Sequence, residues 1–267
     1  MQIPKTMTRE DRRSLQMALN EKTHSRLLVD GDLGLKSIEA LEKYQVLTQL
    51  PNTGNYDQAT FALLNPFIQE KYLTPNDYVV AAKELDCQVS AVKAVTEVEA
   101  AGDGFLADGR CDILFERHKF YKYAGQVLSP AALAKATLDY SNICNPIPGG
   151  YKGNEGEYPR LELANSINPW AGLMSASWGM FQIMGFNWKS MGYDSVEAFV
   201  NASTKSEREQ LYAFVRFVKA DPRLLKAIRA KDWPAFASAY NGANYAINKY
   251  DVKLLAADRA HMADPLR

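Results

Sequence analysis

Residues 74–105, TPNDYVVAAKELDCQVSAVKAVTEVEAAGDGF, combine a helix start signal with a long apolar periodicity. Thr74 can cap a helix whose first position is Pro75, and Asp77 then lies beside the exposed amide groups of the first turn. Apolar residues recur at helical spacing as far as Glu99, after which two glycines interrupt the pattern. We therefore expect one long amphipathic helix that runs from Thr74 towards Glu99.

Glu99 falls on the apolar face of this predicted helix. At about 100° per residue it lies within about 50° of the centre of the stripe, whereas Glu97 is turned about 160° away, towards Lys93. Burial penalises the charged form of a carboxyl, and the raised pKa that results suits a general acid. A buried salt bridge from Glu99 to Arg110 or Arg117 is the alternative that periodicity leaves open. The residues that define the stripe are Leu85, Val89, Val92 and Val95.

The composition is that of a globular protein with no electrostatic preference for polyanions. The 267 residues are 47% hydrophobic and include 31 basic and 31 acidic side chains, so we expect a sizeable core and no nucleic-acid partner. The first residues contain no apolar signal region, and no apolar run of about 18 residues occurs, which predicts no integral membrane segment and synthesis in the cytoplasm. Three cysteines and three histidines without ligand spacing predict reduced thiols, no metal and no cofactor.

The chain divides near residue 70. Three short helices are expected before this point, at 9–20, 36–47 and 57–64, because each segment carries apolar residues on one face. The two connecting segments, LLVDGDLGLKS and LPNTGNYD, have Asp, Asn and Gly where tight turns need them. The first 70 residues are thus expected to form a small helical bundle.

Residues 27–64 resemble the three-helix peptidoglycan-binding module of cell-wall hydrolases. The resemblance rests on the Asp-Gly turn, the Tyr-Gln pair near a helix end and the second glycine turn. It implies that residues 1–70 bind the cell wall and that residues 71–267 form a separate catalytic domain. The module residues assigned to wall binding are Asp30, Gly31, Tyr44 and Gln45.

Two later motifs combine aromatic, amide and glycine residues. The first, SASWGMFQIMGFNW at residues 175–188, surrounds Gln182 with aromatic side chains, a composition found in sugar sites but more often in protein cores. The second, DWPAFASAYNGANY at residues 232–245, predicts a helix that is capped by Asp232 and ends at Tyr240 and Asn241.

Taken in chain order, VEAAGDGF, ASWGMFQIM and SAYNG resemble the three signatures of lysozyme-like muramidases and lytic transglycosylases. GFLADGRCDILFERHKFY and SASWGMFQIMGFNW resemble more closely the N-acetylmuramidase domain of modular endolysins from phages of Gram-negative bacteria. The resemblance implies a mainly α fold: an N-terminal three-helix bundle followed by a larger, lysozyme-like, predominantly helical catalytic domain.

The resemblance also implies roles for single residues. Glu99 matches the catalytic general acid of the family, although Ala100 stands where a serine commonly follows the acid. The residues assigned to the glycan cleft are Gln182, Tyr240, Asn241, Ser177 and Trp178.

Hydrolysis needs a second catalytic carboxylate. The segment from Ala94 to Glu116 contains six carboxylates and one arginine. This acidic character suits a transition state that develops positive charge. We assign Glu116 to this role, with a structural role as the alternative. Other candidates are Asp103, Asp108, and the pair Glu155 and Glu157. This pair lies on a segment that could close over substrate as a lid. Without any such base, the C6 hydroxyl of the sugar would attack, and the enzyme would be a lytic transglycosylase.

The expected substrate is the β-1,4 bond between N-acetylmuramic acid and N-acetylglucosamine in peptidoglycan strands. The resemblance implies a monomer that reaches the periplasm through a membrane lesion made by a holin. A non-catalytic wall-binding or virion protein, with Glu99 as a salt-bridge residue, is the alternative from another class. Residues 205–231 hold eight basic and three acidic residues, a pattern expected of a solvated helix face, although it could also contact anionic lipids.

Overall fold

The computed structural model describes residues 7–99 and 104–264 and is mainly helical, as predicted. The N-terminal bundle consists of α1 (Arg9–Thr23), α2 (Leu35–Leu47) and α3 (Gln58–Lys71). The third helix is longer than predicted, because it continues through Pro66 as far as Lys71. The core of the bundle is built mainly from Leu15, Leu19, Leu41, Leu64 and Ile68.

The long helix predicted from Thr74 to Glu99 is wrong: two helices occupy this segment, α4 (Pro75–Leu85) and α5 (Val89–Glu99). The predicted start is confirmed, with a capping box between Thr74 and Asp77 and proline in the first turn. Asp86 ends α4 in the left-handed conformation, with φ of 55°, which Asp tolerates better than most residues. Periodicity missed this break because apolar residues on both sides of it face the same core.

The rest of the chain forms three short strands and a further set of helices. These elements are β1 (Ile113–Phe115), α6 (Arg117–Ala124), α7 (Pro130–Asp139), α8 (Glu157–Ile167), α9 (Pro169–Met174), β2 (Ala176–Trp178), β3 (Ile183–Met184), α10 (Val196–Lys205), α11 (Glu207–Ala220), α12 (Pro222–Ala230), α13 (Trp233–Asn241) and α14 (Tyr250–Ala263). The strands form one antiparallel sheet in the order β1-β2-β3, in which Leu114 is paired with Ser177 and Ser177 with Met184. Among the helices, α14 packs along α5, and α11 packs against α4.

The N-terminal bundle is joined to the rest of the structure by ion pairs as well as apolar contacts. Lys93 of α5 is buried, and its ammonium lies 3.0 Å from the Glu10 carboxylate of α1. Lys71 of α3 lies 2.6 Å from Glu21 and donates a hydrogen bond to the carbonyl of Gly109 at 3.0 Å. Such partly buried pairs are screened less by solvent than surface pairs, so they favour one arrangement of the two parts.

Several basic residues of 205–231 are paired with acidic neighbours. The pairs include Arg208 with Asp77, Lys219 with Glu84, Arg223 with Asp221, and Lys231 with Asp258. Arg223 and Lys219 keep much of their side chains exposed, in line with the expectation of a solvated helix face.

No helix in the described part of the chain has the length and apolar character needed to cross a bilayer.

Candidate active site

Glu99 is the last residue of α5, and its side chain is half-buried. Its Oε1 accepts a hydrogen bond of 2.8 Å from Nδ2 of Asn241. Burial raises the pKa of Glu99 above its ordinary value, while the Asn241 hydrogen bond and the positive charge of Lys253 oppose this shift. The negative end of the α5 dipole also disfavours a carboxylate at this position. Glu99 therefore retains a proton at higher pH than an exposed glutamate would.

The alternative in which Glu99 forms a salt bridge with Arg110 or Arg117 is not supported by the structure. Arg110 is paired with Asp108 at 2.7 Å. Arg117 donates to the carbonyls of Ile147, at 2.7 Å, and Pro148, at 3.1 Å. Both arginines are therefore bound elsewhere.

The glutamate two positions earlier, Glu97, lies on the more exposed side of α5, as predicted. Its carboxylate lies 2.9 Å from Nε2 of His261 on α14. Lys93, which was expected to face it, is paired with Glu10 of α1. Glu97 thus belongs to the contact between α5 and α14.

Asn241 is brought to Glu99 by the end of α13. Asp232 caps this helix by accepting from the amide of Ala235 at 3.1 Å, and Gly242 follows its last residue with φ of 80°. Both predicted helix signals are confirmed. The amide of Asn241 therefore stands at a helix end, where its position is fixed by the backbone.

Tyr240 links α13 to the turn between β2 and β3. Its hydroxyl donates to the carbonyl of Phe181 at 3.0 Å, and its ring stacks on Phe236 with a centroid separation of 5.6 Å. Burial raises the pKa of Tyr240, and the negative charge of Glu99 adds to the shift. The structure thus shows Tyr240 as a neutral donor that holds the turn beside Asn241.

Gln182 occupies that turn in a strained conformation, with φ of 47°. Its Oε1 accepts from the Ser177 hydroxyl at 2.6 Å, and its Nε2 donates to the carbonyl of Gly179 at 3.0 Å. Backbone strain of this kind persists only where surrounding contacts impose it and is frequent at functional sites. Ser177 is buried and orients the Gln182 amide, so the two residues act as a unit.

Trp178 does not present a face to solvent. Its side chain is 4% exposed, and its indole nitrogen donates to the carbonyl of Leu173 at 3.3 Å. This is the core environment that the composition of the motif also allowed. Its assignment to the glycan cleft is therefore not supported by its position, because β2 turns this side chain inward.

Glu116 lies between β1 and α6. Its amide donates to the carbonyl of Ser175 at 2.9 Å, which fixes the backbone to the residue preceding β2. Its Oε2 accepts from the Tyr151 hydroxyl at 2.8 Å and lies 3.1 Å from Nδ1 of His118. The Glu116 carboxylate is thus oriented by two side chains and remains 18% exposed.

The predicted lid segment is anchored at Glu157. This side chain is fully buried, accepts from the amides of Phe115 at 3.2 Å and Gly153 at 2.8 Å, and forms an ion pair with Arg160. Burial by itself would raise the pKa of Glu157, but the hydrogen bonds from Lys152 and Gly153 and the charge of Arg160 lower it. Glu157 is therefore a structural carboxylate and not a mobile catalytic group.

The other carboxylate candidates have different positions. Asp108 is paired with Arg110, and Glu155 is exposed on a 3-10 turn at Asn154–Gly156. Asp103, together with Ala100, lies outside the described residues. Glu116 is thus the candidate that the structure connects to the sheet carrying Ser177.

The cysteines are free, as predicted. Burial raises the pKa of Cys111 to about 12. A thiol that stays protonated near neutral pH is a poor nucleophile. The buried Cys111 is therefore not a candidate nucleophile.

Comparison with known proteins identifies the family. The sequence pattern of the family described as N-acetylmuramidase matches residues 88–261. The chain belongs to the N-acetylmuramidase family. A second pattern, described as a peptidoglycan binding domain, matches residues 8–64. The muramidase is also similar to the crystal structure of the Burkholderia AP3 phage endolysin, with 41% identity, a TM-score of 0.68, and coverage of 95% of this chain and 96% of that chain. No curated protein matches it.

This muramidase is a glycoside hydrolase with a predominantly helical, lysozyme-like fold and a peptidoglycan-binding module. Glu99, Glu116, Gln182 and Asn241 all lie within the segment that matches the muramidase family. The match therefore covers every part of the site that was described above.

Asp30 and Gly31 of the muramidase's wall module form a turn that is tied to α1. The carboxylate of Asp30 accepts from Nε2 of Gln16 at 3.0 Å, and Gly31 has φ of 79°. A Cβ at Gly31 would lie 2.7 Å from Cγ of Arg9. The glycine is needed both for the turn and for close packing.

Gln45 and Tyr44 are buried in the module core. The Gln45 amide donates to Thr60 Oγ1 at 2.9 Å and accepts from the amides of Thr53 and Gly54 at 2.9 Å each. These contacts hold the turn before α3, and the full burial of Gln45 leaves none of its surface for a ligand. Tyr44 and Gln45 therefore stabilise the fold of the module and do not contact the wall directly.

Tyr151 and Lys253 are site residues that the sequence did not predict. Tyr151 lies in the Gly-rich segment GGYKG, and Lys253 lies in α14, far from any motif. Their proximity to Glu116 and Glu99 depends on long-range packing. A tyrosine among glycines is the one signal that could have indicated the first of them.

Proposed function

We propose that this muramidase is a phage endolysin that hydrolyses the β-1,4 bond between N-acetylmuramic acid and N-acetylglucosamine, with Glu99 as general acid. The observation that carries the proposal is the half-buried Glu99 carboxyl at the end of α5, with a raised pKa and an amide donor on one oxygen. Similarity to the AP3 phage endolysin supports the biological role. We further propose that the chain is a monomer, made in the cytoplasm, that reaches peptidoglycan in the periplasm through a holin lesion.

The orientation of Asn241 determines which oxygen of Glu99 carries the proton. Because Nδ2 of Asn241 donates to Oε1, Oε1 is the acceptor oxygen of the neutral acid and Oε2 carries the hydrogen. Oε2 then protonates the glycosidic oxygen as the bond to the anomeric carbon breaks. The carboxylate that remains is stabilised by the same hydrogen bond and by the charge of Lys253.

Glu116 is the proposed second carboxylate. Its Oε2 accepts a hydrogen bond from the Tyr151 hydroxyl and lies within ion-pair distance of His118. A carboxylate oriented in this way can hold the attacking water or stabilise the positive charge at the anomeric carbon. Gln182 and Asn241 are also proposed to contact the glycan.

The wall module is proposed to raise the local concentration of the enzyme on its insoluble substrate. Its fold depends on Asp30, Gly31, Tyr44 and Gln45, whose contacts shape the turns that join its helices. Division of the chain near residue 70 into a wall-binding domain, 1–70, and a catalytic domain, 71–267, is part of this proposal. The end of α3 at Lys71 and the start of α4 at Pro75 support it.

Digestion of purified peptidoglycan tests both the reaction and the role of Glu116. The wild type is expected to release fragments with reducing N-acetylmuramic acid ends, identified by mass spectrometry, and Glu116→Gln to release them about 100-fold more slowly. Glu162→Gln, an exposed change on α8, is the matched control and should behave as wild type. Anhydro-muramic ends from the wild type would instead establish a transglycosylase, and wild-type rates for Glu116→Gln would remove Glu116 from the mechanism.

Changes at Asn241 should shift the pH dependence of the reaction. Asn241→Ala removes a hydrogen bond that favours the Glu99 carboxylate, so the pKa of Glu99 rises and the alkaline limb of kcat/KM moves to higher pH. Asn241→Asp places a second negative charge beside Glu99 and should move the limb further in the same direction. Profiles measured from pH 4 to 9 on soluble glycan strands test this order, and an unmoved limb in both variants would contradict it.

A further inference from the structure

Two buried polar side chains at the start of α11 contact distant parts of the chain. Glu207 and Gln210 are three residues apart on one helix face, and each is only 2% exposed. Buried carboxylate and amide groups are costly unless they are hydrogen-bonded. Their partners include backbone groups of segments outside α11.

Glu207 connects Gly104 to the junction between α3 and α4. One oxygen accepts from the amide of Gly104 at 3.2 Å, and the other accepts from the amide of Leu73 at 3.1 Å. Gly104 follows Glu99 by five positions, and Leu73 lies between α3 and α4. Glu207 is the first residue of α11, where the helix dipole favours a negative charge.

Gln210 holds the same glycine from its other side. Its Nε2 donates to the carbonyl of Gly104 at 3.1 Å and to that of Ser203 at 2.8 Å, while its Oε1 accepts from the amide of Met180 at 2.8 Å. Met180 lies two positions before Gln182, in the turn between β2 and β3. Both backbone polar groups of Gly104 are thus bound to α11, as is the turn that carries Gln182.

Glycine is required where these segments meet α11. A Cβ at Gly104 would lie 2.2 Å from Oε1 of Gln210, and a Cβ at Gly179 would lie 2.4 Å from Cδ of the same side chain. Both distances are shorter than the contacts that real Cβ atoms make with neighbouring atoms. The Gln210 side chain is itself buried. The two glycines therefore allow both segments to approach one helix face closely.

We propose that Glu207 and Gln210 are positioning residues for the muramidase reaction. They hold Gly104, five positions after the general acid, beside the turn that carries Gln182, and Glu207 also binds the junction between α3 and α4 at Leu73. Neither side chain has the exposure needed to touch substrate. The proposal rests on the proposed role of Glu99.

Glu207→Gln tests this proposal in the full chain. The carboxamide keeps the volume but replaces one of two acceptor oxygens with a donor, so it cannot accept from both Gly104 and Leu73. We expect kcat on soluble glycan strands to fall about 10- to 100-fold, with KM changed by less than about threefold. Amide hydrogen exchange should become faster at Gly104 and Leu73. Glu209→Gln, on the exposed side of the same helix turn, should match the wild type.

Gly104→Ala is the second variant, because it perturbs the same contact while Glu207 stays intact. It should reproduce the loss of kcat with little change in KM, and thermal unfolding establishes that both variants are folded at the assay temperature. A wild-type kcat for folded Glu207→Gln, or a loss confined to KM, would overturn the proposal.

Glu99→Gln, assayed in parallel, separates the two hypotheses. If Glu99→Gln is inactive and Glu207→Gln is fully active, only the positioning role fails. If Glu99→Gln keeps wild-type activity, the proposed acid fails and the positioning role falls with it, whatever the exchange data show.

Discussion

Glu99→Gln is expected to lower the turnover of peptidoglycan about 10²- to 10⁴-fold, because the amide cannot protonate the glycosidic oxygen. The side chain keeps its size and its contact with Asn241, so substrate binding and folding should change little. The release of reducing ends from purified peptidoglycan, with circular dichroism on the same sample, measures both effects.

The matched control is Glu97→Gln, two residues earlier on α5. Glu97 is 35% exposed and faces His261, so its loss should leave turnover near that of the wild type. Equal losses in the two variants would mean that any change at the end of α5 damages the site, and the assignment of Glu99 would lose its support.

Glu157→Ala is expected to destabilise the fold by about 3 to 5 kcal/mol, because it leaves the Arg160 guanidinium buried without its partner. Three backbone amides, of Phe115, Lys152 and Gly153, also lose their acceptor. Urea unfolding at neutral pH measures the free energy of unfolding. A change below about 1 kcal/mol would show that the pair is not structural.

The ion pair between Glu157 and Arg160 should also make the free energy of unfolding depend on pH. Glu155→Ala is the control variant. The folded-state pKa of Glu157 is lowered, so its contribution is present above the unfolded-state pKa and is lost as pH falls through the folded-state pKa. Glu155 is exposed, and its removal should change stability by less than about 0.5 kcal/mol. A parallel acid dependence in wild type and Glu157→Ala would contradict this account.

Helix ends and the direction of Glu99 were predictable from the sequence because they depend on local chemistry. The capping box at Thr74, the cap at Asp232 and the stop before Gly242 each involve residues within one turn of one another. Helical periodicity likewise predicted that Glu99 lies on the apolar face of its helix. These features need no knowledge of distant contacts.

The rest of the site depends on contacts between distant segments. The break at Asp86 does not interrupt the apolar periodicity, so the pattern predicted one continuous helix across it. Glu157 was a candidate on a segment that could act as a lid, yet its side chain is buried and is bound by Arg160 and three backbone amides. The strands are two or three residues long, too short for alternation to be visible. Trp178 was assigned to the cleft although it is buried. An aromatic residue in such a motif can lie in the core or line a sugar site, and the sequence alone does not distinguish the two.

A substrate whose leaving group needs no protonation tests the central claim, that Glu99 is the general acid, most directly. Glu99→Gln should be at least about 100-fold slower than the wild type on glycan strands but within about tenfold on an oligosaccharide aryl glycoside with a dinitrophenolate leaving group. Equal losses on the two substrates would contradict the role of Glu99 as a proton donor.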